Sequence, residues 1–207
     1  MLKFENIEKS FGEKKVLRGV SLTLEKGDIC ALSGMSGCGK TTLLRILAGL
    51  EKMDGGRFTV EGKIAFSFAE ARLFPKYTVL ENVASVLSEK SKKEREARAL
   101  LCLEKMGLSD AAMLFPAELS TGMAARVSLA RAMAYDGDIY FLDEPFKSLD
   151  GEIKRQVMDE FHDFLKDKIC FFISHDPLES DYFATKKYCL KDGILQKENS
   201  DPESNIS

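Results

Sequence analysis

The sequence predicts an α/β fold, and three observations support that prediction. A short apolar run at residues 29–32 leads into a glycine-rich loop and then into a helical pattern at residues 41–50. In the last third of the chain, strand-like and helix-like segments alternate, beginning with the apolar run at residues 139–142. Between these regions the pattern is mostly helical. We therefore expect one α/β domain with a helical segment inserted at about residues 75–120.

The first third of the chain has the pattern of strands. Apolar and polar residues alternate loosely over residues 2–7, and a second strand pattern covers residues 16–24. The Gly55-Gly56 pair predicts a turn, and residues 64–66 predict a further strand. This part of the chain is therefore expected to be rich in sheet.

Three helix starts are predicted from their capping residues. Thr78 and Glu81 have the spacing of a capping box, in which each side chain accepts a backbone N–H of the other residue. Ser120 is a candidate N-cap for the helix that follows it. Asp176 precedes Pro177, which is the order of an N-cap and a first helical residue.

Composition and charge exclude several classes of protein. The 207 residues suffice for one domain, and 44% hydrophobic with 30% charged residues is not a disordered or collagen-like composition. A net charge of −3 argues against a general nucleic-acid binder, which needs an excess of Lys and Arg. No run approaches the roughly 20 apolar residues of a membrane span, and residues 1–15 lack the apolar core of a signal peptide. Five scattered cysteines without CxxC spacing predict a reduced cytosolic chain without zinc.

A phosphate-binding loop is the most specific motif. Residues 34–41 read GMSGCGKT and satisfy GxxxxGK[ST], after a predicted strand and at the start of a predicted helix. Glycines let backbone N–H groups wrap a phosphate, Lys40 would reach the β- and γ-phosphates, and the Thr41 hydroxyl would hold Mg²⁺. The weaker alternative is a chance glycine-rich turn. The expected nucleotide-binding residues here are Gly34, Ser36, Gly37, Cys38, Gly39, Lys40, Thr41 and Thr42.

Two acids end the predicted strand at residues 139–142. A buried strand that ends in carboxylates is costly unless the carboxylates meet cations. Asp143 suits a direct or water-mediated contact to Mg²⁺, and Glu144 suits the base that polarises an attacking water. Because this pattern lies about 100 residues after the phosphate-binding loop, it reinforces the prediction of a nucleotide site.

Further motifs resemble those of ATP-binding-cassette ATPases. Residues 119–123 (LSTGM) resemble the signature of that family, residues 148–150 (SLD) its D-loop, and residues 174–176 (SHD) its switch-histidine segment. Phe11 stands where the family has its adenine-stacking aromatic residue. The motifs follow the family's order over about residues 2–195. The resemblance implies a P-loop NTPase core with a mixed sheet, an N-terminal antiparallel β subdomain and an inserted helical subdomain.

The resemblance also implies how the chain would act. Residues 1–198 would form one nucleotide-binding domain, followed by a polar tail at residues 199–207. Two copies would form a head-to-tail dimer in which Ser120 and Gly122 of one copy contact the γ-phosphate on the other. Asp150 would belong to the same shared site, with ATP and Mg²⁺ as cofactors.

The two histidines are interpreted differently. His175 would contact the γ-phosphate and hold the attacking water, so the catalytic set implied by the resemblance is Glu144, His175 and Lys40. Without the other motifs, a structural histidine at a strand end would be the better interpretation of His175. His162 lies among acidic residues of a predicted helix and is expected at the surface.

The implied function is that of an ATP-hydrolysing subunit of a bacterial importer. The GCGKTT form of the loop and Met123 look most like the ATPases of nitrate, sulfonate, taurine and pyrimidine-type importers. The expected partners are integral-membrane permease subunits, a second ATPase subunit (a homodimer) and, indirectly, a solute-binding protein, with no nucleic acid. The expected location is the cytoplasm, at the inner face of the cell membrane.

Two departures from the family pattern leave the efficiency of hydrolysis open. The family's Mg²⁺-contacting glutamine is replaced by Ala69, with Glu70 as a candidate substitute. In the signature, Thr121 stands where glycine is usual, and a β-branched residue resists positive φ.

Alternative functions therefore stay open. One is a weakly hydrolysing ATP-dependent clamp or regulatory cassette, and another is a cell-division-type cassette ATPase. A soluble cassette of DNA repair or translation is disfavoured, because those proteins carry coiled-coil insertions or two cassettes.

The apolar residues of the loop at 72–77 predict an exposed docking surface for a membrane partner, or alternatively a loop that packs on the core.

Overall fold

The structure is a computed structural model that describes residues 1–89 and 91–198, so the predicted polar tail at 199–207 lies outside the described residues. The strands are β1 (Leu2–Phe11), β2 (Lys14–Leu24), β3 (Ile29–Ser33), β4 (Gly55–Val60), β5 (Ile64–Ser67), β6 (Ile139–Asp143), β7 (Ile169–Ile173), β8 (Lys186–Lys191) and β9 (Ile194–Lys197). The helices are α1 (Lys40–Leu47), α2 (Val79–Ala84), α3 (Lys92–Lys105), α4 (Thr121–Tyr135), α5 (Gly151–Phe164) and α6 (Pro177–Phe183). Two short 3₁₀ turns, Ser109–Ala111 and Pro116–Glu118, precede α4.

The strands form two sheets. A three-stranded antiparallel sheet has the order β2-β1-β4. A six-stranded sheet has the order β5-β6-β7-β3-β8-β9, in which the first five strands are parallel and β9 is antiparallel to β8. Between β5 and β6 the chain forms the helical segment with α2, α3 and α4. The predicted α/β class, with a mixed sheet, an antiparallel β subdomain and a helical insertion, is confirmed.

The six-stranded sheet separates two apolar cores, and β6 belongs to both. Tyr140 and Leu142 belong to the core that also contains residues of α2 to α6. Ile139 and Phe141 point to the other face, where the core includes residues of α1 and the antiparallel sheet. Because neighbouring side chains of a strand point to opposite faces, a continuous apolar run is what a strand covered on both faces requires.

The capping predictions are confirmed. The Thr78 side chain accepts the N–H of Glu81 while the Glu81 carboxylate accepts that of Thr78. Ser120 caps α4, and Asp176 caps α6 with Pro177 at its first turn.

One local expectation is wrong. Gly55 and Gly56 do not form a turn but begin β4. At Gly56 φ is 91°, and a Cβ there would lie 2.3 Å from the carbonyl oxygen of Asn6, so glycine lets β4 approach β1. His162 is partly exposed, which agrees with its expected place at the surface, and its ring centroid lies 5.8 Å from that of Phe183.

No helix within residues 1–89 and 91–198 has the length and apolarity that crossing a membrane requires.

Candidate functional site

The glycine-rich loop connects β3 to α1, and all three of its glycines have positive φ. Gly34 has φ of 136° and Gly39 has φ of 111°. A Cβ would lie 2.5 Å from the Leu190 carbonyl oxygen at Gly34 and 2.6 Å from Val16 Cγ1 at Gly39. Gly39 is the N-cap of α1 and has no side chain to accept the first N–H groups of the helix. These donors are therefore free to bind an anion, which the positive end of the helix dipole also attracts.

Lys40 is held inside the curl of this loop. Its side chain is almost fully buried, and Nζ donates to the carbonyl oxygens of Gly34 at 2.7 Å and Met35 at 3.0 Å. Cys38 is half-buried, with its Sγ 4.0 Å from the same ammonium. A buried ammonium beside the start of α1 gives the loop a positive charge for a phosphate.

A cleft of about 440 Å³ lies above the loop. It brings together residues from both ends of the chain: Phe11, Lys14, Val16, Ser36, Gly37, Gly39, Lys40, Thr41, Thr42, Glu144, Ile173 and His175. Sequence reasoning does not identify Lys14, Val16 and Ile173. Lys14 and Val16 both lie on β2, two residues apart, and both line the cleft.

Asp143 ends β6 beside Thr41. The carboxylate of Asp143 is buried and interacts with the Thr41 hydroxyl. Burial raises the pKa of Asp143, and the Thr41 hydroxyl opposes that shift. Carboxylate and hydroxyl oxygens are hard donors, and a phosphate-bound Mg²⁺ commonly takes one or two protein ligands. The pair therefore fits the predicted Mg²⁺ site.

Glu144 and His175 meet at the end of the cleft. They follow the neighbouring parallel strands β6 and β7, and His175 Nε2 lies 3.2 Å from Glu144 Oε1. Glu144 has φ of 50° and donates its N–H to the Ile173 carbonyl oxygen at 3.0 Å. Non-glycine residues with positive φ are uncommon and concentrate at functional sites. The other carboxylate oxygen of Glu144 pairs with Lys147 Nζ at 2.5 Å.

The residues on both sides of His175 are anchored. The N–H of Asp176 donates to Ser174 Oγ at 3.0 Å, and Ser174 Oγ donates to the buried carboxylate of Glu179. Lys154 of α5 reaches this network and pairs with both Asp176, at 2.9 Å, and Glu179. The backbone that carries His175 is therefore fixed to α5 and α6.

The signature-like residues lie outside the lining of the cleft. Ser120 is exposed at the N-cap of α4, where its Oγ accepts the Met123 N–H at 3.2 Å. A Cβ at Gly122 would lie 2.9 Å from the carbonyl oxygen of Ser148, two residues before the exposed Asp150. Ser120, Gly122 and Asp150 therefore belong to one surface region, away from the cleft of the same chain.

The expectation that Thr121 conflicts with a positive φ is wrong. Thr121 is the first residue of α4 and has a right-handed helical backbone, which threonine adopts without strain. Glycine is needed instead at Gly122, where the approach of the Ser148 carbonyl leaves little room for a side chain.

The loop with the missing glutamine is anchored to α4. Ala69 and Glu70 are both exposed and lie outside the lining of the cleft. Arg131 donates to the carbonyl oxygens of Ala71 at 2.9 Å and Arg72 at 3.1 Å. The Arg72 guanidinium lies 3.8 Å from the ring centroid of Phe68, a cation–π contact.

The following aromatic loop, residues 72–77, is ordered by one buried side chain. The Asn82 amide accepts the N–H of Phe74 at 2.7 Å and donates to the carbonyl oxygens of Phe74, Tyr77 and Thr78. The rings of Phe74 and Tyr77 are 51% and 46% exposed, as the prediction of an exposed apolar loop requires.

Comparisons with known proteins agree with this architecture. The Fe(3+) ions import ATP-binding protein FbpC of Brucella melitensis is 37% identical over 213 residues, which cover 95% of this chain and 60% of that protein. The sulfate/thiosulfate import ATP-binding protein CysA of Escherichia coli K12 is 35% identical over 216 residues, which cover 95% of this chain and 59% of that protein. The chain therefore spans about 60% of the length of these relatives.

Solved structures are similar over nearly the whole chain. The dimeric structure of MJ0796, described as a bacterial ABC transporter cassette, superposes with a TM-score of 0.89 at 29% identity, covering 96% of this chain and 98% of that one. A post-hydrolysis state of the same cassette with ADP and Pi superposes equally well. The family described as ABC transporter matches residues 17–147. The chain therefore belongs to the ABC transporter family.

Proposed function

We propose that this chain binds ATP with Mg²⁺ in the 440 Å³ cleft and hydrolyses it as the ATPase subunit of a membrane importer. The observation that carries the proposal is the meeting of Glu144 and His175 at the end of the cleft that also holds Lys40 and Thr41. Phosphoryl transfer to water requires a loop that binds the phosphates, a proton acceptor for the water and a polar group that orients it. Glu144 is the proton acceptor here, and His175 is the second polar group.

The loop binds and orients the phosphates. The N–H groups at the start of α1 and the Lys40 ammonium face the β- and γ-phosphates, and Phe11, which is half-exposed, stacks on the base. Thr41 and Asp143 hold Mg²⁺, which when bound neutralises charge on the phosphate oxygens.

Glu144 and His175 supply the hydrolytic chemistry. The Glu144 carboxylate accepts a proton from the water whose oxygen forms the new bond to the γ-phosphorus, and the bond to the β–γ bridging oxygen breaks. His175 contacts the γ-phosphate and keeps this water in line. The anchored Ser174 and Asp176 hold its backbone in place for that role.

A second copy completes the site. Ser120, Gly122 and Asp150 lie outside the cleft of their own chain, so they contact a nucleotide when they approach the cleft of another subunit. The capped N-terminus of α4 suits an anion in that position. A head-to-tail homodimer is further supported by the dimeric assembly of the similar cassette.

The membrane partner is a permease, contacted through the aromatic loop around Phe74 and Tyr77. The relatives named above are import ATP-binding proteins for iron and for sulfate or thiosulfate, which supports an importer. The narrower assignment to nitrate, sulfonate or taurine-type importers rests on Met123 and the GCGKTT loop and stays a prediction. Indirect dependence on a solute-binding protein and a position at the inner face of the cell membrane complete the proposal.

A weakly hydrolysing clamp is a second candidate, and one observation favours it. Both carboxylate oxygens of Glu144 have partners, His175 on one and Lys147 on the other. Turnover therefore requires that Glu144 become available to water. Ala69, at the position of the family's glutamine, lies outside the lining of the cleft.

Phosphate release and nucleotide binding test the proposal together. Wild type should bind MgATP and release phosphate, whereas Glu144→Gln should retain binding and release phosphate about 10²-fold more slowly. Glu152→Gln, at an exposed residue of α5, is the matched control. Unchanged phosphate release in Glu144→Gln would contradict the proposed base, and tight binding with almost no wild-type turnover would favour the clamp.

A further inference from the structure

Lys9 is a buried lysine that sequence reasoning does not single out. It lies on β1 and is 8% exposed, two residues before Phe11. Its side chain lies beside the ring of Phe11. Buried lysines occur almost exclusively with partners, because an unpaired ammonium loses its hydration.

The ammonium of Lys9 has three oxygen partners in the segment that follows α1. It lies 2.9 Å from Glu51 Oε1 and 3.5 Å from Asp54 Oδ1, and it donates to the Lys52 carbonyl oxygen at 2.7 Å. The N–H of Glu51 donates to the Arg45 carbonyl oxygen of α1 at 3.2 Å. Lys9 therefore connects β1 to the C-terminal end of the helix whose N-terminal end forms the phosphate-binding loop.

The same ammonium contacts the ring of Phe11. Lys9 Nζ lies 5.0 Å from the centroid of that ring, within cation–π range. Phe11 is 51% exposed and lines the cleft. Contact with Lys9 on one side of the ring leaves the exposed side for a planar ligand.

A second bond fixes the backbone between the two residues. The N–H of Ser10 donates to Asp54 Oδ2 at 2.6 Å, so Asp54 contacts both Lys9 and the peptide that leads to Phe11. The ring is therefore held relative to α1 by its own strand and by the acidic segment after that helix.

We propose that Lys9 is a positioning residue for the nucleotide base: it holds the Phe11 ring at a fixed distance from the phosphate-binding loop. This inference rests on the proposed function. Lys9 is not among the residues that line the cleft, so its effect should be confined to the base. A loose ring would lose orientation on binding, whereas a ring held in advance stacks at a smaller entropic cost.

The test compares MgATP with magnesium tripolyphosphate, which presents the phosphates without sugar or base. Both are titrated calorimetrically into wild type, Lys9→Met and Lys9→Arg. The Lys9→Met change should weaken ATP binding about tenfold, which does not exceed the loss expected from removing one base–aromatic stacking contact. It should leave the affinity for tripolyphosphate unchanged. Lys9→Arg, which keeps a cation over the ring, should restore ATP affinity. Lys3→Met, at the more exposed lysine of the same strand, is the matched control.

A double-mutant cycle with Phe11→Ala isolates the contact. In the Phe11→Ala background, Lys9→Met should cause no further loss of ATP affinity. If Lys9→Met does not fold, Glu51→Gln combined with Asp54→Asn removes the anchors of Lys9 and should show the same selective loss of ATP.

The outcomes separate the two proposals. Equal weakening of ATP and tripolyphosphate, or no change in either, would overturn the role of Lys9. Absence of MgATP binding by wild type would instead overturn the proposed function of the cleft.

Discussion

His175 Nε2 and Glu144 Oε1 are 3.2 Å apart although the residues are 31 positions apart in the sequence, because each follows one of two paired parallel strands. The register pairs Asp143 with Ile173, so the residues that follow both strands emerge at the same edge of the sheet. Two side chains that are fixed in this way need little rearrangement to act on one water molecule.

Replacement of His175 should therefore affect chemistry more than binding. His175→Ala should slow phosphate release by about 10²-fold, because one positioned donor at the γ-phosphate is removed. ATP affinity should be retained, because in the proposed site the phosphate contacts come from the loop and Lys40. His162→Ala is the matched control, since the other histidine contacts Phe183 and does not line the cleft. Equal rates in wild type and His175→Ala would remove this residue from the mechanism.

Restoring glutamine at Ala69 should raise the rate of hydrolysis by about tenfold, by adding a polar side chain at the position where the family has its Mg²⁺-contacting glutamine. Ala69 is exposed, so the longer side chain has room to extend. Ala71→Gln adds the same side chain two residues away and is the control. Steady-state phosphate release measures the effect. A loss of activity, or no gain, would indicate that this loop no longer serves the site and would favour the clamp.

Cys38 should report occupancy of the loop. Among the five cysteines, Cys30, Cys102 and Cys170 are buried, whereas Cys38 and Cys189 are half-buried. At an ATP concentration about ten times its Kd, maleimide labelling of Cys38 should slow by about tenfold, because about one tenth of the protein is unliganded. Labelling of Cys189 is the internal control, and mass spectrometry of peptides separates the two. Equal labelling of Cys38 with and without MgATP would contradict the assignment of the cleft.

The aromatic loop should be needed for the membrane partner but not for nucleotide. Phe74→Ala with Tyr77→Ala removes the two exposed rings, whose centroids are 5.4 Å apart, and leaves the Asn82 hydrogen bonds to the backbone in place. Capture of the permease from a detergent extract should weaken about tenfold or more, since exposed aromatic anchors dominate such interfaces. MgATP binding should not change.

A matched control for this surface is Leu50→Ala with Ile194→Ala, which removes two exposed apolar side chains elsewhere, 55% and 50% exposed. Permease capture that is equal in the aromatic double variant and in wild type would exclude this loop as the docking surface.

The sequence predicts those parts of the site that short-range spacing determines. The residues of the phosphate-binding loop and the caps at Thr78, Ser120 and Asp176 follow from chemistry within a few positions. Placing Glu144 at the end of a buried strand is also local, because an apolar run predicts the strand and the acids mark its end. The family resemblance adds the order of the motifs, which implies the same cleft.

Other features depend on partners that are distant in the sequence. The need for Gly122 arises from the carbonyl of Ser148, and the need for Gly56 arises from Asn6. In the sequence nothing distinguishes Lys9 from the other lysines, because its partners Glu51 and Asp54 are more than 40 residues away along the chain. No periodicity or short spacing indicates such contacts, because each one depends on how the finished sheets pack.

Because β6 belongs to both cores, loss of activity on heating should be linked to unfolding. Its position is set from two sides, by Tyr140 and Leu142 on one face and Ile139 and Phe141 on the other. The same strand ends at Asp143 and leads directly to Glu144, which lines the cleft. A cavity made on either face would shift the strand, since close-packed interiors transmit strain. Heat inactivation and loss of tertiary structure should therefore coincide. The cleft should not lose its geometry before the domain unfolds, nor keep it afterwards.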